Sequence, residues 1–415
     1  MPSLVDAIAL SLAALSFAVV AYVHLGYPAL LALLARRARS RARPARPRLT
    51  GAAADLDLPF VSVLVAAWNE DVVIGQKIDD ALAQDYPRDR LEIVVASDGS
   101  TDATVDLARS VQDPRIHVLD LPRLGKAAAL QRAIDASSNE ILAFTDANSM
   151  WEPTALRALV APFADPAVGG VAGDQRYLTE GVAADRRDRD IASAREGAAG
   201  GGWADGGERR YWDIDRQLKR AESAAGDVIS ATGAIYAVRR ELIDGIRPDV
   251  TDDFYISTGV IAAGRRLVFA PGAVAWEPVA RSAGGEFDRK VRILTRGLRA
   301  VVARRALLDV RRHGFYSVQL ATHKLFRRLA VYPLVVAGIA SASLVTAGRG
   351  YALFAAAQAV GWSLGLVGLR LGDRPLARHP LFALPAFGAL VSIASLIASL
   401  RVLAGDSVTH WEPRR

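Results

Sequence analysis

Three acidic segments of the chain have residue types and spacing that could do chemistry. Asp98 lies in a run of turn-forming residues, Asp146 and Asn148 are separated by one alanine, and Asp252 and Asp253 are adjacent. Two hard oxygen ligands at positions i and i+2 can hold Mg²⁺ or Mn²⁺, which then takes phosphate oxygens and water as further ligands. A carboxylate held away from bulk water can act as a general base toward a hydroxyl group.

Each of these segments also has a plain structural interpretation. Asp98 could shape a turn and cap the next helix, because Asp, Ser and Thr side chains do both. Asp252 and Asp253 could cap the apolar helical segment that follows them. The i, i+2 pair occurs often by chance, and Lys126 could be a solvated cation or a contact for a diphosphate. From the residue types alone, both interpretations stay open.

The elements around these residues predict where they meet. Strand patterns cover Phe60–Ala66, Leu91–Ala96, Arg115–Leu119 and Glu140–Phe144. Helical patterns cover Ile74–Ala83, Thr101–Val111 and Lys126–Ala136. This alternation predicts an α/β domain with a mostly parallel, doubly wound sheet. Such sheets bind ligands beyond the carboxyl ends of their strands, where Asp98 and Asp146 are expected.

Apolar and charged residues are segregated along the 415-residue chain, which is 51% hydrophobic and 23% charged. From Ala7 to Ala35 there is no charged residue. At about 1.5 Å per residue this helix exceeds the ~30 Å hydrocarbon core, and it is too long for a cleaved signal peptide, so we expect a retained transmembrane helix. Three further runs predict spans, giving four in total: Leu329–Ala347, Tyr351–Leu369 and Leu381–Leu400.

Arginines beside the apolar runs account for much of the net charge of +7. The first cluster comprises Arg36, Arg37, Arg39, Arg41, Arg43, Arg46 and Arg48. Beside a transmembrane helix this pattern indicates contact with anionic membrane lipids, and no motif that reads nucleic acid accompanies it. The positive-inside rule places this cluster and the loop of Arg370, Arg374 and Arg378 in the cytoplasm, with the N-terminus and the C-terminal tail outside.

The chain has no cysteine, which excludes disulfides, thiolate zinc sites and thiol nucleophiles.

The remaining patterns divide the chain into domains. A glycine-rich loop is predicted at Glu196–Gly207, and the arginine-dense helical pattern from Asp288 to Leu329 predicts amphipathic helices on the membrane surface. The predicted domains are a transmembrane helix (1–36), a basic linker (37–58), an α/β domain (59–287), interface helices (288–328), three transmembrane helices (329–402) and a tail (403–415).

Seven segments follow one another in a specific order. They are VSVLVAAWNE (61–70), ASDGSTDAT (96–104), GKAAALQRAI (125–134), FTDAN (144–148), ATGAIYAVRR (231–240), TDDF (251–254) and RKVRILTRG (289–297). With the flanking spans they resemble the family 2 glycosyltransferases, in particular the membrane-integrated branch of cellulose, hyaluronan and poly-N-acetylglucosamine synthases. The resemblance covers roughly residues 15–345. It implies a GT-A (nucleotide-diphospho-sugar transferase) fold and an inverting transfer from a UDP-sugar with Mg²⁺ or Mn²⁺.

The resemblance also implies roles for residues on the donor side. Ala67, Glu70 and Asp98 would lie in the uridine pocket, and Lys126 near the nucleotide. Asp146 would bind the metal and the sugar nucleotide, with Asn148 in the place of a second acid; the neutral amide removes one charge from that site.

On the acceptor side, Asp253 would be the general base, preceded by Asp252 where the family has Glu. Thr232 and Gly233 occupy the acceptor-side motif. The family's Gln-x-x-Arg-Trp motif corresponds here to Arg289-Lys290-Val291-Arg292-Ile293. Arg292 keeps a cation that could contact diphosphate, whereas Ile293 lacks the aromatic face on which an acceptor sugar stacks; a lipid-facing basic helix is the plain alternative.

Three functions follow as expectations. The first is extension of a polysaccharide of the exopolysaccharide type by a cytoplasmic domain on the inner membrane. The second is transfer of a single sugar to a lipid acceptor, which the few C-terminal spans and Ile293 favour somewhat. The third is an inactive membrane scaffold with a nucleotide-sugar fold. The donor sugar, the linkage and any partner subunits are not encoded in short motifs.

Overall fold

A computed structural model describes residues 4–41, 58–178, 215–278, 283–372 and 374–405. The predicted loop Glu196–Gly207, most of the basic linker and most of the tail lie outside these residues, as do Arg43, Arg46 and Arg48 of the basic cluster.

One eight-stranded sheet, with the order β3-β2-β1-β4-β7-β6-β8-β5, forms the centre of the α/β domain. Its strands are β1 (Val61–Ala67), β2 (Leu91–Asp98), β3 (Ile116–Leu121), β4 (Ile141–Asp146), β5 (Met150–Trp151), β6 (Val168–Leu178), β7 (Tyr236–Arg239) and β8 (Arg266–Pro278). The first four strands are mutually parallel, β6 is parallel to β8, and β7 and β5 run antiparallel to their neighbours. The mostly parallel sheet is therefore confirmed.

Helices cover both faces of this sheet. In the α/β domain they span Ile74–Leu82, Thr104–Ser110, Lys126–Ala136, Ala155–Val160, 215–225 and Asp252–Ala262. Toward the C-terminus they span Ala283–Ala303, Val310–His313, Phe315–Leu320, Val331–Ser343, Arg349–Leu371 and Pro380–Leu403. At the N-terminus, Leu4–Ala21 continues through a π-helical segment, Tyr22–Gly26, into Tyr27–Arg41.

Two apolar layers sandwich the sheet, because its central strands are buried on both faces. Val63 and Val65 of β1 pack in one layer with Ile78, while Leu64, between them in sequence, packs in the other with Leu130. Side chains alternate along a strand, so an unbroken apolar run serves both layers at once. This is why β1 reads as a continuous apolar segment rather than an alternating one.

Among the described residues, three helices are long and apolar enough to cross a membrane: Leu4–Arg37, Arg349–Leu371 and Pro380–Leu403. They agree with three of the four predicted spans. Their outward side chains are apolar and exposed, as at Leu4 and Leu403, which suits a lipid environment rather than water.

The fourth predicted span, Leu329–Ala347, differs from the expectation. Its helix covers only the 13 residues Val331–Ser343, a length of about 20 Å, which is less than the ~30 Å hydrocarbon core. It is bent by 64° from the preceding helical stretch Phe315–Phe326, and only together could the two form one broken span. The apolar run predicted the helix but could not reveal the bend.

The last two helices pack closely through small residues. A Cβ atom on Gly365 would lie 2.8 Å from the backbone oxygen of Pro385, and one on Gly368 would lie 2.8 Å from the Cβ of Ala386. Small residues at such contacts let transmembrane helices approach each other closely. The helix Pro380–Leu403 also contacts the amphipathic helix Ala283–Ala303, where the ammonium of Lys290 lies 5.8 Å from the centre of the Phe387 ring.

A buried polar network connects the apolar N-terminal helix to the α/β domain. Glu222 Oε1 accepts hydrogen bonds from the Tyr27 hydroxyl at 2.7 Å and interacts with His323 Nδ1 at 2.9 Å. His323 Nε2 lies 3.1 Å from Asp215 Oδ1. Glu222 and Asp215 belong to helix 215–225, so this one helix is held by both the N-terminal helix and the stretch Phe315–Phe326. Buried charges of this kind are tolerated only when they are paired.

We expect Tyr27→Phe to destabilise the protein by about 1.5–3 kcal/mol, because it removes a buried hydrogen bond to a charged group. Thermal denaturation in detergent micelles measures this loss. The matched control is Tyr22→Phe, which removes a neutral contact of 3.3 Å to Thr322 Oγ1 and should cost about 1 kcal/mol or less. If the two variants lost equal stability, the hydrogen bond from Tyr27 to Glu222 would not contribute more than a neutral contact.

Candidate functional site

A lysine ammonium lies between two carboxylates at the carboxyl edge of the sheet. Lys126 Nζ is 2.7 Å from Asp146 Oδ1 and 3.2 Å from Asp252 Oδ2. Lys126 begins its helix after Gly125, whose φ of 96° suits glycine. Asp146 ends β4, and Asp252 begins the helix Asp252–Ala262. Three segments that are distant in sequence therefore converge on one charged cluster.

Burial and opposite charges compete in this cluster, and the charges win. Burial alone would lower the pKa of Lys126, but the carboxylates of Asp146 and Asp252 raise it above its ordinary value. Burial likewise opposes ionisation of Asp252, but Lys126 and then Arg296 hold the pKa of that carboxyl below its ordinary value. The cluster therefore keeps its lysine protonated and Asp252 ionised near neutral pH.

Asp253 behaves differently from its neighbour. Burial, followed by the negative charge of Asp252, raises the pKa of Asp253 to about 6. Its Oδ1 accepts a hydrogen bond of 2.7 Å from the backbone N–H of Phe254. The N-cap of the helix is Thr251, so neither aspartate caps it in the sense of the plain interpretation; both lie in its first turn. A carboxylate with this pKa is basic enough to accept a proton and still ionised at pH 7.

Asp98 holds the loop that leads into Lys126. Its Oδ1 accepts hydrogen bonds from the backbone N–H groups of Leu124 and Gly125, each at 2.8 Å, and its Oδ2 pairs with Arg123. It does not cap the helix after its own strand, whose N-cap is Ala103. The turn-forming interpretation of Asp98 is thus replaced by a bridge between β2 and the loop before Lys126.

Sequence reasoning missed Arg123, although it is central to this part of the edge. Its guanidinium pairs with Asp98 and lies 3.7 Å from the centre of the Trp68 ring. Trp68 follows Ala67, the last residue of β1. Two residues after Trp68, the backbone N–H of Glu70 donates a hydrogen bond to Thr104 Oγ1 at 2.7 Å. The signal for Arg123 was its position just before the Gly125-Lys126 pair.

Gly233 lies directly against Asp146. A Cβ atom at this position would be 2.8 Å from Asp146 Oδ2, so the close approach requires glycine or a moved carboxylate. The preceding Thr232 has a buried hydroxyl for which the described residues offer no hydrogen-bond partner, and the same holds for the hydroxyl of Tyr236. Tyr236 stacks on Phe144 of β4 with 4.6 Å between ring centres, and sequence reasoning missed it.

Asn148 has an acidic neighbour that sequence reasoning also missed. Its Nδ2 donates to Glu277 Oε1 at 3.5 Å, and Gln175 Nε2 donates to the other oxygen of the same carboxylate. Burial, followed by the negative charge of Asp146, raises the pKa of Glu277 to about 7. Glu277 lies near the end of β8, far along the chain from the motif that it contacts.

The donor atoms of this edge fit a divalent cation bound together with a diphosphate. Within the described ranges no group of three or more His, Cys, Asp or Glu side chains converges on one point. Asp146 and Asn148 nevertheless supply hard oxygen donors, and Mg²⁺ and Mn²⁺ commonly bind through one or two protein ligands plus phosphate oxygens and water.

Three arginines of the helix Ala283–Ala303 share one face, because they are spaced three and four residues apart. They are Arg289, Arg292 and Arg296. Arg289 is close enough to Glu277 to lower its pKa, and Arg296 acts on Asp252 in the same way. This face therefore borders the acidic edge of the sheet. Burial, followed by the charges of Arg296 and Arg289, lowers the pKa of Arg292, and Ile293 beside it is 39% exposed.

The structure thus brings the predicted residues to one edge of the sheet. Lys126, Asp146 and Asp252 are in direct contact, with Asp253 and Gly233 adjacent. Asp98 joins them through the loop before Lys126. Ala67 ends β1, and Trp68, which follows it, contacts Arg123 of that loop, whereas Glu70 contacts Thr104.

Known proteins with similar sequences place the chain in a family. The family model described as "Glycosyltransferase like family 2" matches residues 59–300. The chain is 33% identical over 144 residues to beta-monoglucosyldiacylglycerol synthase of Synechocystis sp., covering 33% of this chain and 30% of that protein. It is 24% identical over 243 residues to poly-beta-1,6-N-acetyl-D-glucosamine synthase of Staphylococcus aureus, covering 57% of this chain and 54% of that protein. The chain therefore spans about half or less of the length of these relatives.

A solved structure agrees over nearly the whole chain. The mannosyltransferase PcManGT from Pyrobaculum calidifontis, in complex with GDP-Man and Mn²⁺, is 25% identical with a TM-score of 0.68. The similarity covers 97% of this chain and 100% of that one. This confirms the GT-A fold that the resemblance implied. Together with the match over residues 59–300, it means that the chain belongs to glycosyltransferase-like family 2.

Proposed function

We propose that the protein transfers a sugar from a UDP-sugar to an acceptor hydroxyl at a membrane surface, with inversion at the anomeric carbon. The observation that carries this proposal is the cluster of Lys126, Asp146 and Asp252 with the raised-pKa carboxyl of Asp253 beside it. Such a cluster offers separate groups for holding a diphosphate and for accepting a proton.

On the donor side, we assign diphosphate binding to Lys126 and metal binding to Asp146 and Asn148. When bound, Mg²⁺ or Mn²⁺ supplies positive charge that stabilises the leaving diphosphate. Asp98, Ala67 and Glu70 are assigned to the uridine pocket. Their support is the hydrogen bonding of Asp98 to the loop before Lys126, which couples nucleotide contacts to the position of the lysine.

On the acceptor side, Asp253 is assigned as the general base. As the acceptor oxygen bonds to the anomeric carbon, its proton passes to the Asp253 carboxylate, and the bond from the same carbon to the diphosphate breaks. One in-line displacement needs one base and inverts the configuration. Asp252 remains ionised beside Lys126, and its charge keeps Asp253 basic. Thr232 and Gly233 are assigned to the acceptor side.

The arginine face of the helix Ala283–Ala303 supplies a second source of positive charge. Arg289 and Arg292 are assigned to contacts with the diphosphate as negative charge develops on it. Ile293, at the place of the family's aromatic residue, offers no ring on which an acceptor sugar could stack. This difference favours acceptors that do not depend on stacking against an aromatic ring. A membrane lipid is such an acceptor, because its acyl chains anchor it in the bilayer.

Two product classes remain as proposals. One relative is named for a polysaccharide, poly-beta-1,6-N-acetyl-D-glucosamine, and the other for a lipid product, monoglucosyldiacylglycerol. Polysaccharide extension is the first proposal and transfer of a single sugar to a lipid is the alternative. In both, we place the α/β domain on the cytoplasmic side of the inner membrane, as the arginines beside the apolar helices indicate.

A screen of nucleotide sugars tests the donor and the metal together. Membranes containing the full chain should release UDP from one UDP-sugar, lose that turnover with EDTA and regain it with Mn²⁺ or Mg²⁺. Because the similar mannosyltransferase holds GDP-Man, GDP-sugars form the comparison arm. Turnover of GDP-sugars alone would overturn the uridine assignment. Turnover of neither set would favour an inactive scaffold, and product size at saturating donor separates polymer from glycolipid.

Asp253→Asn tests the base. We expect turnover to fall by about 10²–10⁴-fold with the fold intact, because general base catalysis contributes that much. Since the ionised form is the active one and its pKa is about 6, kcat/KM of the unchanged protein should fall as the pH drops through 6.

The matched control for this test is Asp244→Asn. Its carboxylate is 60% exposed and pairs with Arg304 rather than with Lys126, Asp146 or Asp252, so turnover and pH profile should be retained. An Asp253→Asn protein that turns over normally would contradict the base assignment.

A further inference from the structure

The metal-binding pair of this chain lacks one negative charge. Asn148 stands where a second acid would lie, so Asp146 is the one carboxylate of the Asp146–Asn148 pair. A neutral amide is a weaker ligand for Mg²⁺ or Mn²⁺ than a carboxylate, and one charge fewer lowers the attraction for a divalent cation. Either the site binds metal weakly, or the missing charge is supplied from elsewhere in the fold.

The register of the sheet brings a carboxylate to this point. Met150 of β5 pairs with Trp276 of β8 in an antiparallel ladder, and the next residue of β8 is Glu277. In an antiparallel pair the residues just before Met150 continue along those just after Trp276. Glu277 therefore lies beside the turn that carries Asn148, although 129 positions separate the two in sequence.

Side-chain contacts fix how this carboxylate is used. Oε1 of Glu277 accepts from Nδ2 of Asn148 at 3.5 Å, while Oε2 accepts from Nε2 of Gln175. Because the amide nitrogen of Asn148 faces Glu277, its carbonyl oxygen occupies the other arm of the same planar group. The contact with Glu277 thus engages the amide nitrogen and leaves the amide oxygen as the atom that could serve as a ligand.

Glu277 lies beside the proposed metal-binding pair, because its carboxylate contacts the Asn148 amide at 3.5 Å. Groups that contact metal ligands in this way orient them and tune their affinity for the ion.

We propose that Glu277, in its ionised form, supplies the negative charge that Asn148 lacks and orients the Asn148 amide so that its oxygen faces the divalent cation. Glu277 is a positioning residue in this arrangement: it acts through Asn148 and through its charge. The inference rests on the metal-dependent transfer proposed above and deepens it.

The competing interpretation is that Glu277 is structural and merely ties β8 to β6 through Gln175. The two interpretations differ in whether the negative charge of the Glu277 carboxylate is needed. A structural tie survives Glu277→Gln, since the new amide keeps the size of the side chain and one accepting oxygen. A metal-tuning carboxylate loses its function in the same variant.

Binding of Mn²⁺ to the full chain in detergent, with and without UDP, provides a readout that is independent of turnover. Electron paramagnetic resonance of free Mn²⁺ gives the affinity directly. We expect Glu277→Gln to weaken Mn²⁺ binding by about tenfold or more, as loss of such a partner does at other metal sites. The matched control is Glu152→Gln, because Glu152 contacts the neighbouring Trp276 at 3.3 Å but not Asn148; its Mn²⁺ affinity should stay unchanged.

A second variant tests the compensation itself. In the Glu277→Gln background, Asn148→Asp returns a carboxylate to the pair and should restore most of the lost Mn²⁺ affinity. In the unchanged background, the same Asn148→Asp substitution places a third negative charge beside Asp146 and Glu277 and should raise the affinity. Circular dichroism checks that each variant is folded.

The outcomes separate the two proposals. Weaker Mn²⁺ binding in Glu277→Gln with recovery in the double variant supports the inference. Unchanged Mn²⁺ affinity in folded Glu277→Gln overturns the inference and leaves the proposed function standing. If the unchanged protein binds no Mn²⁺ with or without UDP, the metal dependence of the proposed function fails, and the inference fails with it.

Discussion

The ammonium of Lys126, held between the carboxylates of Asp146 and Asp252, is the interaction on which the arrangement of the functional edge depends. Each of these charges would be costly to bury alone, and together they satisfy one another. The ion pairs connect the end of β4 to the starts of two helices. Through Asp98, which holds the loop before Lys126, the same connection extends to β2. Removing Lys126 would leave both carboxylates without their shared cation, whereas removing either aspartate would leave a single ion pair.

The adjacent aspartates show how one environment separates two chemically identical groups. Asp252 faces Lys126 and stays ionised, whereas Asp253 lies one residue further into the helix, where burial and the charge of Asp252 make it more basic. Pairs of carboxyl groups whose pKa values are pushed apart commonly divide two tasks between them. Here Asp252 would balance the charge of Lys126, and Asp253 would accept the proton.

Much of the fold followed from the sequence, because its strands are apolar runs and its helices begin at recognisable residues such as Gly125. The parallel direction of those strands also predicted that Asp98 and Asp146 share one edge. Their partners were harder to predict: Glu277 is 129 positions from Asn148, and Arg123, although it precedes the Gly125-Lys126 pair, was identified by its contacts with Asp98 and Trp68. A hydropathy pattern also does not encode the 64° bend between Phe315–Phe326 and Val331–Ser343.

The hydrogen bond from Tyr27 to Glu222 has a geometric consequence for the acceptor. Tyr27 belongs to the apolar N-terminal helix and Glu222 to a helix of the α/β domain, so the bond fixes the position of the sheet relative to that apolar helix. If the helix crosses the membrane as proposed, the bond also fixes the distance of the sheet from the bilayer. A domain on a loose linker could descend to reach a shallow hydroxyl or rise to admit a bulky one. With that distance fixed, the proposed function would make the depth at which an acceptor presents its hydroxyl a selection criterion, independent of the shape of the sugar pocket.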